Sequence, residues 1–148
     1  MSEEKSKVRF TIVGEPYGKG RPKFSTQGGF ARAITPEKTI NYETLVKMEY
    51  QAQCDGYMFD NRAALGMVVT AYKPIPKSIS KKKRALMLDN IILPTKKPDW
   101  DNIGKIVCDA LNKIAFCDDA QIVDGRVIKH YAEQPRVEVE IWQLGIGG

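Results

Sequence analysis

The clearest hydrophobic pattern in the chain is a stripe of apolar residues that recurs at helical spacing between positions 103 and 114. Its members are Ile103, Ile106, Val107, Ala110, Leu111 and Ile114. Residues that recur at intervals of three and four lie on one face of an α-helix. The pattern therefore predicts an amphipathic helix over 102–114 that buries this face in a core.

Strands are predicted where β-branched residues cluster or alternate with polar ones. The segment 7–14 (KVRFTIVG) ends at a glycine, and 64–72 (ALGMVVTAY) ends before a KPIP turn. Segments 121–131 and 136–144 are interpreted as a closing pair of strands, and in the second one Val and Ile alternate with Glu. Period-two alternation places one apolar and one polar face on a strand, as expected for a half-buried sheet.

Two further helices are predicted from their start signals. Thr35 is a candidate N-cap, Pro36 suits the first helical position and Glu37 the first turn, for a helix reaching about Cys54. Ser80 is a candidate cap for a short basic helix over 80–90.

The order of these elements predicts the fold class. Residues 15–34 are rich in Gly, Pro, Ser and Gln, which is typical of a long loop. The remaining order is β, α, β, α, α, β, β. It predicts one α+β domain over 1–148, with a mixed β-sheet packed against helices in two layers.

Composition excludes several classes of protein. The chain has 148 residues, 43% of them hydrophobic and 28% charged, and no apolar run long enough to span a membrane. Three cysteines without a CxxC pair and a single histidine argue against a disulfide framework and a His/Cys zinc cluster. The polar N-terminus lacks the apolar core of a secretory signal. We expect a cytoplasmic protein without a membrane partner.

The formal net charge of +5 favours a polyanionic partner, and the cations are grouped. The candidate DNA-binding residues are Lys19, Arg21, Lys23, Lys81, Lys82, Lys83, Arg84, Lys96 and Lys97. Such cations can contact a phosphate backbone, or they can form an ordinary solvated surface. The GEPYGKG segment at 14–20 lacks the spacing of a phosphate-binding P-loop, so no nucleotide cofactor is expected.

Four aspartates around the predicted helix form a candidate metal site. Asp99 and Asp101 lie two residues apart at its start, and Asp118 and Asp119 lie just beyond its end. If the chain returns as a strand beside the helix start, one of the later pair could reach the first pair. Carboxylates together with water and phosphate oxygens are the ligands that Mg²⁺ prefers.

Lys105, one helical turn after Asp101, could stabilise developing charge or position an attacking water. The alternative is structural: the aspartates could be helix caps and turn residues, and Lys105 a surface partner of Asp101. Asp109 is interpreted as a surface or structural carboxylate. Trp100 is either a packing residue or a wedge at the edge of the site.

The segment KPDWDNIGKIVCDALNKIAFCDDAQI at 97–122 resembles the signature of RusA-type Holliday-junction resolvases. The shared features are a PDxDN start, a lysine four residues after the second aspartate, a DAL segment and a DD-x-Q-[IV] turn. GEPYGKGRPKF at 14–24 and TPEKTINYE at 35–43 resemble the opening of that family. The likeness is weakest over 55–95.

The resemblance implies a homodimeric, Mg²⁺-dependent endodeoxyribonuclease, with Mn²⁺ as a candidate substitute. It would resolve four-way DNA junctions by paired symmetric nicks in recombination and repair, and relatives are often encoded by phages or prophages. Asp99 and Asp101 match the metal-binding pair, Asp119 the third carboxylate with Asp118 beside it, and Lys105 the functional lysine. Trp100 stands where the family usually has a smaller aliphatic residue.

Two other functions stay open at this point. One is an Mg²⁺-dependent nuclease that acts on flaps, nicks or RNA. The other is a non-catalytic protein that binds branched DNA, in which the aspartates only cap and turn the chain.

Overall fold

The computed structural model describes residues 7–20, 23–25, 27–29 and 32–148, in six strands and three α-helices. The strands are β1 (Lys7–Val13), β2 (Lys23–Ser25), β3 (Arg32–Ile34), β4 (Ala63–Pro74), β5 (Ile122–Ala132) and β6 (Arg136–Ile146). The helices are α1 (Glu37–Cys54), α2 (Lys81–Leu88) and α3 (Trp100–Leu111).

Four strands form a mixed sheet in the order β1-β6-β4-β5. β4 and β5 are parallel, whereas β6 is antiparallel to both of its neighbours, β1 and β4. The predicted α+β class with a mixed sheet is therefore confirmed. The closing pair of strands is not a hairpin, because β4 lies between β5 and β6 and leaves β5 at the edge.

The apolar face of the sheet and the stripe of α3 form the core. Val137, Val139 and Ile141 of β6 are buried, whereas the glutamates between them are half-buried on the other face. In α3 the buried residues are Ile103, Ile106, Val107, Ala110 and Leu111. The predicted stripe is thus confirmed, although the helix ends at Leu111 and not at 114. Asn112 is extended and Lys113 left-handed, which terminates the helix.

Two local predictions need adjustment and one is confirmed. The segment interpreted as a long loop contains the short antiparallel pair β2–β3. α1 begins one residue later than expected, with Pro36 as its N-cap. Ser80 caps α2 as predicted, because its Oγ accepts a hydrogen bond from the N–H of Lys83 at 3.2 Å. Among the described residues no helix has the length and apolarity that a membrane span needs.

Candidate active site

Two lysines from neighbouring strands hold the loop that leads into α3. The Nζ of Lys129, on β5, donates a hydrogen bond to the carbonyl oxygen of Lys96 at 2.7 Å. The Nζ of Lys73, on β4, donates one to the carbonyl oxygen of Lys97. These bonds fix the backbone just before Asp99. Neither strand lysine was a candidate from the sequence, because each lies more than twenty residues from the loop.

Asp99 and Asp101 lie at the N-terminus of α3 beside an open cleft. Asp99 is the N-cap residue, but its carboxylate makes no capping hydrogen bond, and Asp101 lies in the first turn. The positive end of the helix dipole favours negative charge at both positions. We call the cleft of about 350 Å³ that adjoins them the aspartate cleft, and its lining residues are Thr95, Asp99, Trp100, Asp101 and Lys129.

The aspartate cleft combines carboxylates, one cation and an exposed ring. Trp100 is 65% exposed, which favours its interpretation as a wedge over that as a packing residue. Burial lowers the pKa of Lys129, the nearby charge of Lys73 lowers it further, and Asp99 opposes both effects. Lys129 and the first aspartate thus line the same cleft.

A second cleft also adjoins Asp99, where the GEPYGKG segment packs against α3. The N–H of Lys19 donates to the carbonyl oxygen of Asn102 at 2.9 Å. Gly18 is required by the close approach: a Cβ there would lie 2.8 Å from the Cβ of Pro98 and 3.1 Å from that of Asn102. Tyr17, Lys97 and Asp99 also line this cleft of about 620 Å³.

The ammonium of Lys19 has two carboxylate partners within the protein. Its Nζ lies 2.5 Å from a carboxylate oxygen of Glu43 and 3.1 Å from one of Asp109. Burial lowers the pKa of Lys19, but the hydrogen bonds to the two carboxylates outweigh this effect and raise it. Lys19 thus links its loop to α1 and α3. This geometry supports a structural role for Lys19, and it agrees with the structural interpretation of Asp109.

The other predicted DNA contacts differ in whether they are exposed, paired with a carboxylate or outside the described residues. Exposed lysines without an ion pair among the described residues are Lys81, Lys82, Lys83, Lys96 and Lys97. Arg84 instead pairs with Glu133 at 2.7 Å. Arg21 and the side chain of Lys23 lie outside what the structure describes.

Asp118 and Asp119 lie in a turn beyond α3. The Asp118 carboxylate caps a short 3₁₀ segment, Asp119–Gln121, by accepting from the N–H of Ala120 at 3.1 Å. That backbone hydrogen bond lowers the pKa of Asp118, and a hydrogen bond from Asp119 lowers it further. The same hydrogen bond raises the pKa of Asp119. The interaction between these two carboxyls therefore shifts their pKa values in opposite directions.

The later aspartates lie at the opposite end of α3 from the first pair. A Cβ on Gly104 would lie 3.0 Å from the Cγ2 of Val127, and Lys129 interacts with Asp99. Burial raises the pKa of Cys108, near the end of the helix, and the nearby charge of Asp119 raises it further. β5 thus runs antiparallel to α3.

The expected approach of Asp118 or Asp119 to the first pair is therefore not seen within one chain. From Asp101 to the end of α3 near Asp109 is about 12 Å along the axis. Among the described residues no group of three or more His, Cys, Asp or Glu could hold a metal ion.

Asp99 and Asp101 nevertheless suit a metal that shares its ligands with a substrate. Mg²⁺ is usually bound through one or two carboxylates, with water and substrate phosphate completing its shell. Here two carboxylates without capping bonds adjoin one open cleft. Lys105 is exposed and forms no ion pair with Asp101 among the described residues, so the alternative of a surface i+4 pair is not formed.

Comparison with known proteins identifies the family. The family model described as endodeoxyribonuclease RusA matches residues 14–142, a range that contains both clefts. The chain belongs to the RusA endodeoxyribonuclease family. It is also 38% identical over 139 residues to the Bacillus subtilis (strain 168) protein named "Uncharacterized protein YqaN", covering 93% of this chain and 96% of YqaN. RusA-family proteins are nucleases that resolve Holliday junctions, and nucleases of this kind are generally metal-dependent.

Proposed function

We propose that this RusA-family chain is an Mg²⁺-dependent endonuclease that resolves four-way DNA junctions as a homodimer, by paired symmetric nicks. One observation carries the proposal: Asp99 and Asp101 adjoin one open cleft at a helix N-terminus, and the loop before them is held by Lys73 and Lys129. A carboxylate pair that served only to cap the helix would be expected to show a capping bond, and Asp99 shows none.

The roles of the residues follow from their positions. Asp99 and Asp101 would hold the metal, which when bound supplies an activated water and charge stabilisation at the scissile phosphate. Lys105, exposed one turn after Asp101, would contact the same phosphate. Lys129 would keep the loop and Asp99 in place. Mn²⁺ is a candidate substitute for Mg²⁺ because it accepts the same oxygen ligands.

Asp119 is retained as a candidate catalytic and metal-binding residue, with Asp118 beside it. The family signature in the sequence supports this role, whereas its place beyond the far end of α3 separates it from Asp101 within one chain. A second subunit offers a way to bring such a carboxylate to the aspartate cleft.

Exposed cations supply the proposed DNA contacts. Lys81, Lys82 and Lys83 lie along α2, and Lys96 and Lys97 lie in the loop before the aspartates. Contacts to phosphates release counterions, so binding should weaken steeply with salt. A two-fold dimer would present two clefts to a nearly two-fold symmetric junction, which accounts for two nicks. The cellular role we propose is recombination and repair, on a phage or prophage genome.

The test is cleavage of an end-labelled synthetic four-way junction in Mg²⁺, beside linear duplex, flap, nicked and RNA substrates. We expect paired nicks in the junction with wild type, and none with EDTA or with Asp101→Asn. Asp55→Asn is a matched control, because Asp55 is exposed, far from the clefts in sequence, and left-handed, a conformation that asparagine tolerates.

Two other outcomes would replace the proposal. Cleavage of flaps or RNA in preference to junctions would favour a nuclease of different specificity. Junction binding that no divalent metal converts to cleavage would favour the non-catalytic binding protein.

A further inference from the structure

Trp100 is a large aromatic side chain that the fold leaves uncovered. It is 65% exposed, and among the described residues it is the only aromatic one with an exposed side chain. Within that part of the chain its ring has no aromatic partner, no cation over its face and no hydrogen bond from its indole N–H. A ring in water contributes nothing to folding, because the hydrophobic effect acts only on surface that is removed from water.

The other tryptophan of the chain has the opposite environment. Trp142 is half-buried on β6, and its ring lies so close to Gly66 of β4 that a Cβ on this glycine would overlap the ring. Packing on the neighbouring strand accounts for Trp142. No comparable contact accounts for Trp100 within the described ranges, so a partner outside the chain is the better explanation of its ring.

Trp100 stands between the two proposed metal ligands. Asp99 directly precedes it, Asp101 directly follows it, and all three line the aspartate cleft. Exposed Lys96 and Lys97 lie just before them and can hold a phosphate backbone. A strand whose scissile phosphate enters this cleft brings the bases of the adjoining nucleotides within reach of the ring.

An indole ring at this position is suited to stack on a nucleobase that has lost one of its stacking neighbours. Every base has a π-face, so such stacking does not depend on the identity of the base. In a continuous duplex an inserted side chain must first unstack a base step, which costs free energy. At the branch point of a four-way junction the strands pass from one stack of bases to another, so this cost is lower there.

We propose that Trp100 stacks on a base at the branch point of the junction and thereby selects branched DNA over linear duplex. The inference rests on the proposed function and adds a specificity-determining residue to it. Stacking of one base on an aromatic side chain corresponds to about 5- to 150-fold in affinity. A chain with an aliphatic residue in place of Trp100 lacks this contribution.

The first measurement is the tryptophan fluorescence of the full chain in EDTA, where no strand is cut. Trp142→Phe leaves Trp100 as the only tryptophan, because the chain has two. A synthetic four-way junction is expected to quench its emission strongly, whereas saturating linear duplex of the same sequence should leave it near that of the free protein. The reciprocal variant Trp100→Leu, with Trp142 as the reporter, should respond to neither DNA.

The second measurement is the ratio of junction affinity to duplex affinity, by titration of labelled DNA in EDTA. Trp100→Leu should weaken junction binding by about 5- to 150-fold and leave duplex binding unchanged. Trp100→Phe keeps an aromatic ring and should regain most of the lost ratio. Met48→Ala, which truncates an exposed apolar side chain on α1, is the matched control and should keep the wild-type ratio. Circular dichroism melts check that every variant is folded.

The proposal is overturned if Trp100 emission responds equally to junction and duplex, or if Trp100→Leu weakens both complexes to the same extent. It is also overturned if acrylamide does not quench Trp100 in the free protein, because a second copy would then cover the ring. Failure of the proposed function gives a different result. A chain that shows the junction-specific quenching but cuts no DNA in Mg²⁺ would contradict the nuclease and leave the stacking in place, whereas a chain that binds no junction would contradict both.

Discussion

The ammonium of Lys129 donates a hydrogen bond to the backbone carbonyl of Lys96 at 2.7 Å, while the same side chain lines the cleft beside Asp99. A residue from the sheet edge therefore holds the loop that positions the metal-binding pair. Precise placement of ligands depends on such supporting bonds, and their loss commonly lowers metal affinity or activity by about 10- to 100-fold. Lys129 is a positioning residue in this arrangement.

Lys129→Met should raise the Mg²⁺ concentration needed for half-maximal cleavage and lower kcat by at least about tenfold. The reason is that the loop loses its hydrogen bond at Lys96 while the methionine keeps most of the packing. Lys77→Met, an exposed lysine outside the clefts, is the matched control. Mg²⁺ titrations of junction cleavage measure both effects. An unchanged metal dependence would show that Lys129 does not position the aspartates.

Lys19→Met should lower the free energy of unfolding by about 2 kcal/mol, because the carboxylates of Glu43 and Asp109 lose a charged hydrogen-bond partner. Urea unfolding followed by circular dichroism measures the change. Lys47→Met, on the exposed face of α1, should leave stability within about 0.5 kcal/mol of wild type.

The same variant separates the two interpretations of Lys19. A structural link predicts that the slope of log affinity for DNA against log salt stays unchanged. A phosphate contact predicts unchanged stability and a slope smaller by about one.

Gly18→Ala should disturb the active site through the packing of the GEPYGKG segment on α3. The added Cβ would lie 2.8 Å from the Cβ of Pro98, which directly precedes Asp99, so the two segments must separate. We expect a loss of about 1–3 kcal/mol in stability and reduced cleavage. Gly145→Ala is the control, since a Cβ there meets nothing within 4 Å. Equal behaviour of the two variants in thermal melts and cleavage would contradict the close packing.

Mixing two inactive variants tests whether the third carboxylate comes from the partner subunit. Asp101→Asn and Asp119→Asn should each be inactive alone. In a mixed dimer, a site built from both subunits leaves one cleft with an intact Asp101 and an intact Asp119. We therefore expect the mixed dimer to nick one strand of the junction, at up to about half of the wild-type rate per mixed dimer.

The control is Asp101→Asn alone, taken through the same subunit-exchange procedure, and it should stay inactive. Absence of nicking after verified subunit exchange would place Asp119 in the site of the same chain as Asp101. Cleavage by Asp119→Asn alone would place it outside the site.

The sequence by itself determined those features that depend on local spacing. The apolar stripe of α3 follows from a helical period, the faces of β6 from strict alternation, and the Ser80 cap from the hydrogen bond that a hydroxyl offers to an N–H three residues on. The position of Asp99 and Asp101 at a helix start follows in the same way. These arrangements need only a few consecutive residues.

Only the tertiary structure decided how distant segments meet. It placed β4 between β5 and β6, gave Lys19 two carboxylate partners, and brought Lys129 to the loop before Asp99. It also directed β5 antiparallel to α3, so that Asp119 lies far from Asp101 in one chain. Such contacts depend on how the buried faces of the sheet and helices pack together, and the spacing of residues within one segment carries no information about that packing.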